Sequence, residues 1–430
     1  MTHRFAVLVI LFTSFLVGGI WAAVLPPWDL NDEQQHMDYV QKISVTGSLP
    51  ILGDSRLSPG ITESIAATDR WTHLHLKRPS SMDPSTWGLE GQSYQSYQPP
   101  LYYLVLVAPF RLMPADSLFT MYGLRLITVF LAALSALVLY LVLVEITNGR
   151  RDLSLLGSIA LILVPERAQA TSRVNNDVMT ELFGTLALLL IVWQWKSGLT
   201  WRRSFAIGLV VGLALLSKSS AVVLVVLMVF AFLKPSTDGP FRYRMHHLAT
   251  QLLVVVVVSG WQIGRNVVLY GDPTGSAAFL RLAGFQPTLR MPDALMTLGQ
   301  GMWITRWHGQ FPLIISIAIW TLLIFHLFGL VGLTRQRPYI FLLIAATLLW
   351  LVPLIYGAST GLIQTIEGRF VLAGLSPLIG LGALGACQLR DLLRSRMLTG
   401  GLVATVAIGN AATLIFFSLP YYYGISLMTR

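Results

Sequence analysis

Just after its first apolar segment the chain reads Asp29-Leu30-Asn31-Asp32-Glu33-Gln34-Gln35-His36-Met37-Asp38-Tyr39-Val40-Gln41-Lys42. On a helix, Asp32 and His36 are four apart and Glu33 and His36 three apart, so two carboxylates and an imidazole share one face. Such groups exchange protons, and Glu33 with His36 at that spacing can ligate one side of a metal ion. Pro26-Pro27 ends whatever precedes, and Asn31 can cap the helix, with Asp29 an equal candidate for that role. The acidic first turn suits the positive end of a helix dipole, and Gly47, Ser48 and Pro50 end the element. In a soluble protein this would read as a solvated cap. Here Trp28, Leu30 and the apolar segment before them put the acids beside a membrane, where carboxylates are costly to desolvate and need a reason.

The elements that must position these residues are membrane spans. Hydrophobic residues make up 54% of the 430, charged residues only 12%, and the mean hydropathy is +0.66. Such values exclude a soluble globular chain. Apolar stretches long enough to cross about 30 Å of hydrocarbon as helices occur near residues 5–24, 118–146, 152–166, 177–195, 203–217, 219–234, 247–264, 311–334, 339–357, 368–388 and 398–420. The expected fold is all-α and polytopic, with about eleven spans. Ser217-Lys218-Ser219-Ser220 is expected to split 203–217 from 219–234 as a tight turn, against a single long helix.

Lys and Arg collect at Arg4, Arg150-Arg151, Lys196 with Arg202-Arg203, Lys234 through Arg244, Arg335 with Arg337, and Arg390 through Arg396. All fall on one side of those spans, so the amino terminus is expected to be cytoplasmic. The loops 25–117, 167–176, 265–310 and 358–367 are then extracytoplasmic, and function is expected on that face. The flanking clusters account for the net charge of +10, so nucleic acid is not an expected partner. Cys387 is the single cysteine and falls in a span, so no intrachain disulfide braces the outer loops. The first span lacks a good cleavage site after it, which predicts a retained anchor. With no solenoid repeat or soluble domain, residues 1–430 read as one membrane domain, with 25–117 and 265–310 as its long outer loops.

Within the first loop, Gln98-Pro99-Pro100-Leu101-Tyr102-Tyr103-Leu104 opens an apolar stretch that reaches only Pro109. It is too short to span, and counting it as a span would invert every later loop against the charge rule. An interfacial or re-entrant helix is expected, with Tyr102 and Tyr103 at headgroup depth as anchors or substrate contacts.

Pro-Pro followed by Asp32-Glu33 and His36 after a first span resembles the first outer loop of the GT-C glycosyltransferases, a superfamily that includes protein mannosyltransferases and aminoarabinose transferases. The order continues with Pro99-Pro100-Leu101-Tyr102, Arg125 heading the second span, Asn175-Asn176-Asp177, Gly212 through Lys218, Trp261 through Asn266, and Gly368-Arg369-Phe370. The likeness covers nearly the whole chain; it departs from the best-known members in ending soon after the last span, without an appended outer domain. It implies a sugar donor linked to polyprenyl phosphate, a glycan, lipid or protein acceptor, one-step displacement with inversion, and a setting in a bacterial plasma membrane.

On that resemblance Asp32 is the expected general base, and Glu33 supports it or anchors the helix. Lys218, Arg265, Arg369 and Arg173 are the outer-side cations for the departing phosphate, with Lys218 foremost; snorkelling, or pairing of Arg369 with Glu367 and of Arg173 with Glu166, is the plain alternative. Asp177 is expected as a second site carboxylate or a simple helix-start acid, and His36 and Tyr102 as substrate contacts. The residues call for no definite cofactor and leave room for a divalent metal. A divalent metal on Glu33 and His36 would need further ligands from His73, His75, His308 or Asp177. The rival reading is a transporter or flippase for a lipid-linked sugar, which predicts paired half-repeats and broken helices at mid-membrane; neither is seen. A non-catalytic assembly subunit leaves the acidic helix unexplained.

Overall fold

The computed structural model describes residues 2–29, 32–68, 70–114, 117–232, 239–284, 323–324, 326–333, 337–359, 369, 372–394 and 397–425. Among these, every regular element is helical, and extended pairing is confined to one isolated bridge between Arg56 and Gln92. Helix α1 (His3–Val24) starts where Thr2 caps the Phe5 amide and stops at Leu25, before two prolines that cannot donate. Its buried positions, Ala6, Ile10, Ser14, Gly18 and Trp21, recur every three or four residues, while Phe5, Leu8, Phe12, Phe15 and Leu16 face outward. One stripe packs and the rest is suited to lipid.

The segment between the first two spans holds α2 (Glu33–Thr46), α3 (Pro59–Ala67) and α4 (Leu101–Leu112). Helix α5 (Ser117–Ile146) follows and packs against α1. A Cβ on Gly18 would lie 2.6 Å from a Val129 methyl, so α1 and α5 meet at a contact that only glycine permits. Next come α6 (Arg151–Leu163), the short α7 (Pro165–Ala170), α8 (Asp177–Ser197), α9 (Trp201–Ser217) and α10 (Val223–Phe232). Then follow α11 (Phe241–Tyr270), the amphipathic α12 (Ser276–Ala283), α13 (Arg337–Ser359), α14 (Leu372–Leu393) and α15 (Met397–Ala412), and after a π-helical turn α16 (Leu419–Tyr423).

Among the described residues six helices are long and apolar enough to cross a membrane: His3–Val24, Ser117–Ile146, Asp177–Ser197, Phe241–Tyr270, Leu372–Leu393 and Val403–Tyr423. The expected spans at 152–166, 203–217 and 219–234 are the shorter α6, α9 and α10, and the span expected at 311–334 lies largely outside the described residues. Every residue of α14 from Leu372 to Cys387 is buried, against α6, α8, α13 and α15. The His326 carbonyl lies so close to Gly385 that no side chain fits there. The chain breaks after Ser217, where Lys218 is extended (φ −158°, ψ 137°) before a 3-10 turn, so one continuous helix is excluded.

Helix α4 is short, as expected. Tyr102 and Tyr103 are fully buried against protein: the Tyr102 hydroxyl meets Thr128 Oγ1 of α5 at 2.8 Å, and α4 lies between α2 and α5. The first loop is knitted by Asp38, which accepts from Lys42 Nζ (2.7 Å), Ser58 N (2.8 Å), Ser58 Oγ (2.6 Å) and Ser93 Oγ (2.5 Å).

One ion pair fixes α2 to the spans. Arg125 of α5 uses all its N–H groups: Nε to Glu33 Oε1 (2.8 Å), Nη2 to Glu33 Oε2 (2.5 Å) and Pro26 O (2.8 Å), Nη1 to Ala22 O (2.7 Å) and Leu25 O (2.8 Å). Glu33 Oε1 also accepts from Val174 N at 3.0 Å. Both side chains are wholly buried. Arg125→Ala would strand a buried carboxylate and open three carbonyls, and is expected to cost about 3–5 kcal/mol. Thermal unfolding in detergent tests this, and a midpoint equal to the parent's would remove the pair as an anchor.

Candidate active site

Asp32 stands at the N-cap of α2 in the left-handed region (φ 64°), and its side chain makes no capping bond. Asn31, the expected cap, lies outside the described residues. The Asp32 carboxylate instead points away from its helix. Oδ1 accepts from the Tyr94 hydroxyl at 2.5 Å and Oδ2 from Arg369 Nη2 at 2.9 Å. Burial alone would raise this carboxyl, but Arg369, His36 and Tyr94 together outweigh it and hold it below its usual value. Its side chain is 21% exposed, whereas Glu33 beside it is at 0%. The two acids expected to act as a pair thus have different surroundings: Asp32 is reachable, and Glu33 is sealed against Arg125.

One turn on, His36 Nδ1 meets the Tyr103 hydroxyl at 2.8 Å, and Tyr103 in turn stacks on Tyr39 with ring centres 4.0 Å apart. Burial pushes the imidazole down to about 4, with Arg369 and Lys218 pressing the same way and Asp32 and Asp177 opposing. His36 is therefore neutral at neutral pH and contributes hydrogen bonding, not positive charge. All four charged groups lie near enough to act on the one imidazole.

Lys218 occupies the break between α9 and the following turn, and its ammonium pairs with Asp177 at the first residue of α8. Asn175 Oδ1 accepts from the Asp177 amide (2.9 Å), and Asn176 Nδ2 donates to Ser217 O (2.9 Å), which locks the loop before α8 onto the turn bearing Lys218. Asp32, His36, Asp177, Lys218 and Arg369, drawn from separate stretches of which the first and last lie 337 residues apart, thus form one cluster.

Other expected residues lie elsewhere. Arg265 donates to Pro50 O at 2.7 Å and is near enough to act on the Tyr39 hydroxyl, at the rim of the cluster. Arg173 is buried and pairs with Asp29 at 2.5 Å, not with Glu166 as its leading partner; Tyr422 Oη also donates to Asp29 at 3.3 Å. Asp29 is accordingly a partner of Arg173 and no helix cap. Glu367 lies outside the described residues, and Arg369 pairs with Asp32. Tyr102 reaches Thr128 and not the cluster.

Both carboxylate oxygens of Glu33 are given to Arg125, and His36 meets Tyr103 through Nδ1. His73 and His75 meet the backbone of Tyr422 and Tyr421, and His308 lies outside the described residues. Among the described residues no three potential ligands gather. Tyr103, named from the sequence as an anchor or substrate contact, adjoins His36. Sequence reasoning missed Tyr94, which opens a short 3-10 turn where no periodicity marks a buried side chain.

Residues 98–263, from the start of α4 into α11, match a family model described as dolichyl-phosphate-mannose-protein mannosyltransferase. No curated protein matches the chain by sequence. Among solved structures, ArnT from Cupriavidus metallidurans bound to undecaprenyl phosphate superposes with a TM-score of 0.58 at 12% identity, covering 98% of this chain and 77% of that one. Its apo form gives 0.54 at 11% identity, with 97% and 76% covered. The archaeal oligosaccharyltransferase AglB from Archaeoglobus fulgidus, in complex with an inhibitory peptide and a dolichol-phosphate, gives 0.56 at 14% identity. This chain is 96% covered in that match and spans 56% of AglB. At these identities the likeness is one of fold. Expected from its first-loop residues and found in its helices, the resemblance holds: the chain is a multi-pass membrane protein with the GT-C fold, similar to the protein mannosyltransferase and ArnT group.

Proposed function

We propose that this protein is a glycosyltransferase that moves a sugar from a polyprenyl-phosphate carrier to an acceptor on the extracytoplasmic face, with Asp32 as general base. The observation that carries this reading is the pairing of two carboxylates with two cations around a neutral imidazole, with Asp32 the accessible acid. Two further facts support it: among the fold relatives ArnT is bound to undecaprenyl phosphate and AglB to a dolichol-phosphate, and the matched family model is that of a dolichyl-phosphate-mannose-protein mannosyltransferase.

The chemistry is a single displacement. The acceptor, a nucleophilic group on a glycan, lipid or protein, attacks the anomeric carbon as Asp32 takes its proton; the bond from that carbon to the phosphate oxygen breaks, and the phosphate leaves with the electron pair. One displacement inverts the anomeric centre. Lys218 and Arg369 neutralise the leaving phosphate, in a site where low dielectric strengthens each contact. An entering phosphate competes with Asp177 for Lys218 and with Asp32 for Arg369. As Arg369 turns toward phosphate, the carboxylate it held below its usual value regains basicity. Asp177 keeps Lys218 in place until then, and His36 donates or accepts a hydrogen bond without adding charge. Arg265, at the rim, serves the headgroup. Glu33 anchors the helix that carries the base.

Asp32→Asn is expected to fold, insert and lose about 10²–10⁴-fold of the transfer from a labelled polyprenyl-phosphate sugar; parental activity in that variant would end the assignment of the base. Lys218→Ala should weaken carrier-linked donor by about 10–100-fold, the worth of hydrogen bonds to a charged group, and leave the acceptor KM alone. Equal effects on both substrates would place Lys218 outside the phosphate site. Orientation is tested separately. On a Cys387→Ser background, Ser81→Cys in the exposed part of the first loop should react with a membrane-impermeant maleimide in intact cells; labelling only after lysis would reverse the topology.

A further inference from the structure

The carboxylate of Asp32 is gripped by a residue that lies far along the first loop. Tyr94 opens the 3-10 turn Tyr94–Tyr97, is 4% exposed, and donates to Asp32 Oδ1 at 2.5 Å. Its ring packs on Phe279 of α12 at 5.5 Å between centres, and Tyr97 stacks on the same Phe279 at 5.3 Å. Ser93, just before the turn, donates to the buried Asp38 of α2 at 2.5 Å, so the turn is tied to the helix that Asp32 begins. Asp32 needs such support. It sits at the helix start in a left-handed conformation, so no capping bond to its own helix restrains the rotation of its carboxylate. Arg369 holds one oxygen, but Arg369 is also the cation that a phosphate would draw away.

Building on the transferase reading, we propose that Tyr94 is the positioning residue of the base: its hydroxyl keeps the Asp32 carboxylate oriented toward the acceptor when Arg369 moves to the phosphate. Phe279, carried on the helix after α11, sets the ring that does this. Burial, then Asp32 and Glu90, hold the Tyr94 phenol well above its usual range, so it donates at any working pH. The groups facing Asp32 are His36 from its own helix, Arg369 from the segment before α14, and Tyr94 and Tyr97 from the first loop; Asp177 and Lys218 act on His36 beside it.

The test is Tyr94→Phe in the full-length protein, which keeps the ring against Phe279 and removes only the hydroxyl. With a labelled polyprenyl-phosphate sugar, kcat should fall about 10–100-fold while the donor KM is unchanged, as for a lost hydrogen bond to a charged group. The acid limb of kcat/KM should move to higher pH, because the lost donor had favoured the ionised carboxylate. A second readout needs no turnover. Carbodiimides react with protonated carboxyls, so at a fixed mildly acidic pH the Asp32 peptide should be modified faster in Tyr94→Phe than in the parent, as read by mass spectrometry. Equal modification rates and an unmoved acid limb would overturn the proposal, even if the variant were slow. Faster modification in a protein whose parent form transfers no sugar would keep the contact and discard the transferase reading.

Discussion

The architecture of the site rests on the guanidinium of Arg125. In a medium that offers no water, a charged side chain is tolerated only when each of its polar groups has a partner, and the planar fork of Arg125 finds all of them in two places. Three acceptors are the carbonyls that α1 leaves open at its end, and two are the oxygens of Glu33. The helix end that needs donors and the acid that needs a cation are satisfied by one group. As a result the first turn of α2 is set rigidly against the spans, and Asp32, one residue earlier, is delivered to the neighbourhood of Lys218 and Arg369.

The same rule governs the other charges, and it separates them into two kinds. Glu33 with Arg125, Asp29 with Arg173 and Glu181 with Arg167 are pairs whose side chains are almost wholly enclosed. Asp32 with Arg369 and Asp177 with Lys218 retain some exposure on both partners. Breaking an enclosed pair leaves a stranded ion, whereas an accessible pair can exchange its carboxylate for another anion at modest cost. Under the proposed transferase reading, a protein that admits a phosphate, holds it and lets it go is served by cations that are occupied in its absence. On that reading the acids of the accessible pairs have two tasks, keeping the cations in place and, for Asp32, accepting a proton.

Local signals carried much of this to the reader of the sequence. Hydropathy located the helices because lipid imposes one length and one polarity on any span. Ser217-Lys218-Ser219-Ser220 announced the break that lifts Lys218 out of α9, and the shortness of the Leu101 stretch excluded a further span. Asp32 stood out because an acid beside an apolar helix end is expensive. The reading stopped where a role depends on what lies opposite. Tyr102 and Tyr103 were expected as anchors or substrate contacts, and what α4 buries them against could not be read from their type. For Glu33 the sequence left open support of Asp32 or anchoring of the helix, and for Arg173 the plain alternative was pairing with Glu166; the partners found are Arg125 and Asp29.

Composition, hydrophobic period and charge asymmetry, then, determined from sequence alone that the chain is helical, crosses a membrane many times and bears an acidic turn after its first span. Each follows from interactions of a residue with solvent or with neighbours a few positions away. Tertiary structure alone decided which acid is open and which is sealed, since Arg369 lies 337 residues from Asp32, and Arg125 lies 92 residues from Glu33. It also decided that Tyr94, 62 residues on, would hold the carboxylate. Adjacent carboxylates of nearly equal intrinsic acidity differ only in the field and solvent around them, and those are set by chains of contact that no spacing along the sequence encodes.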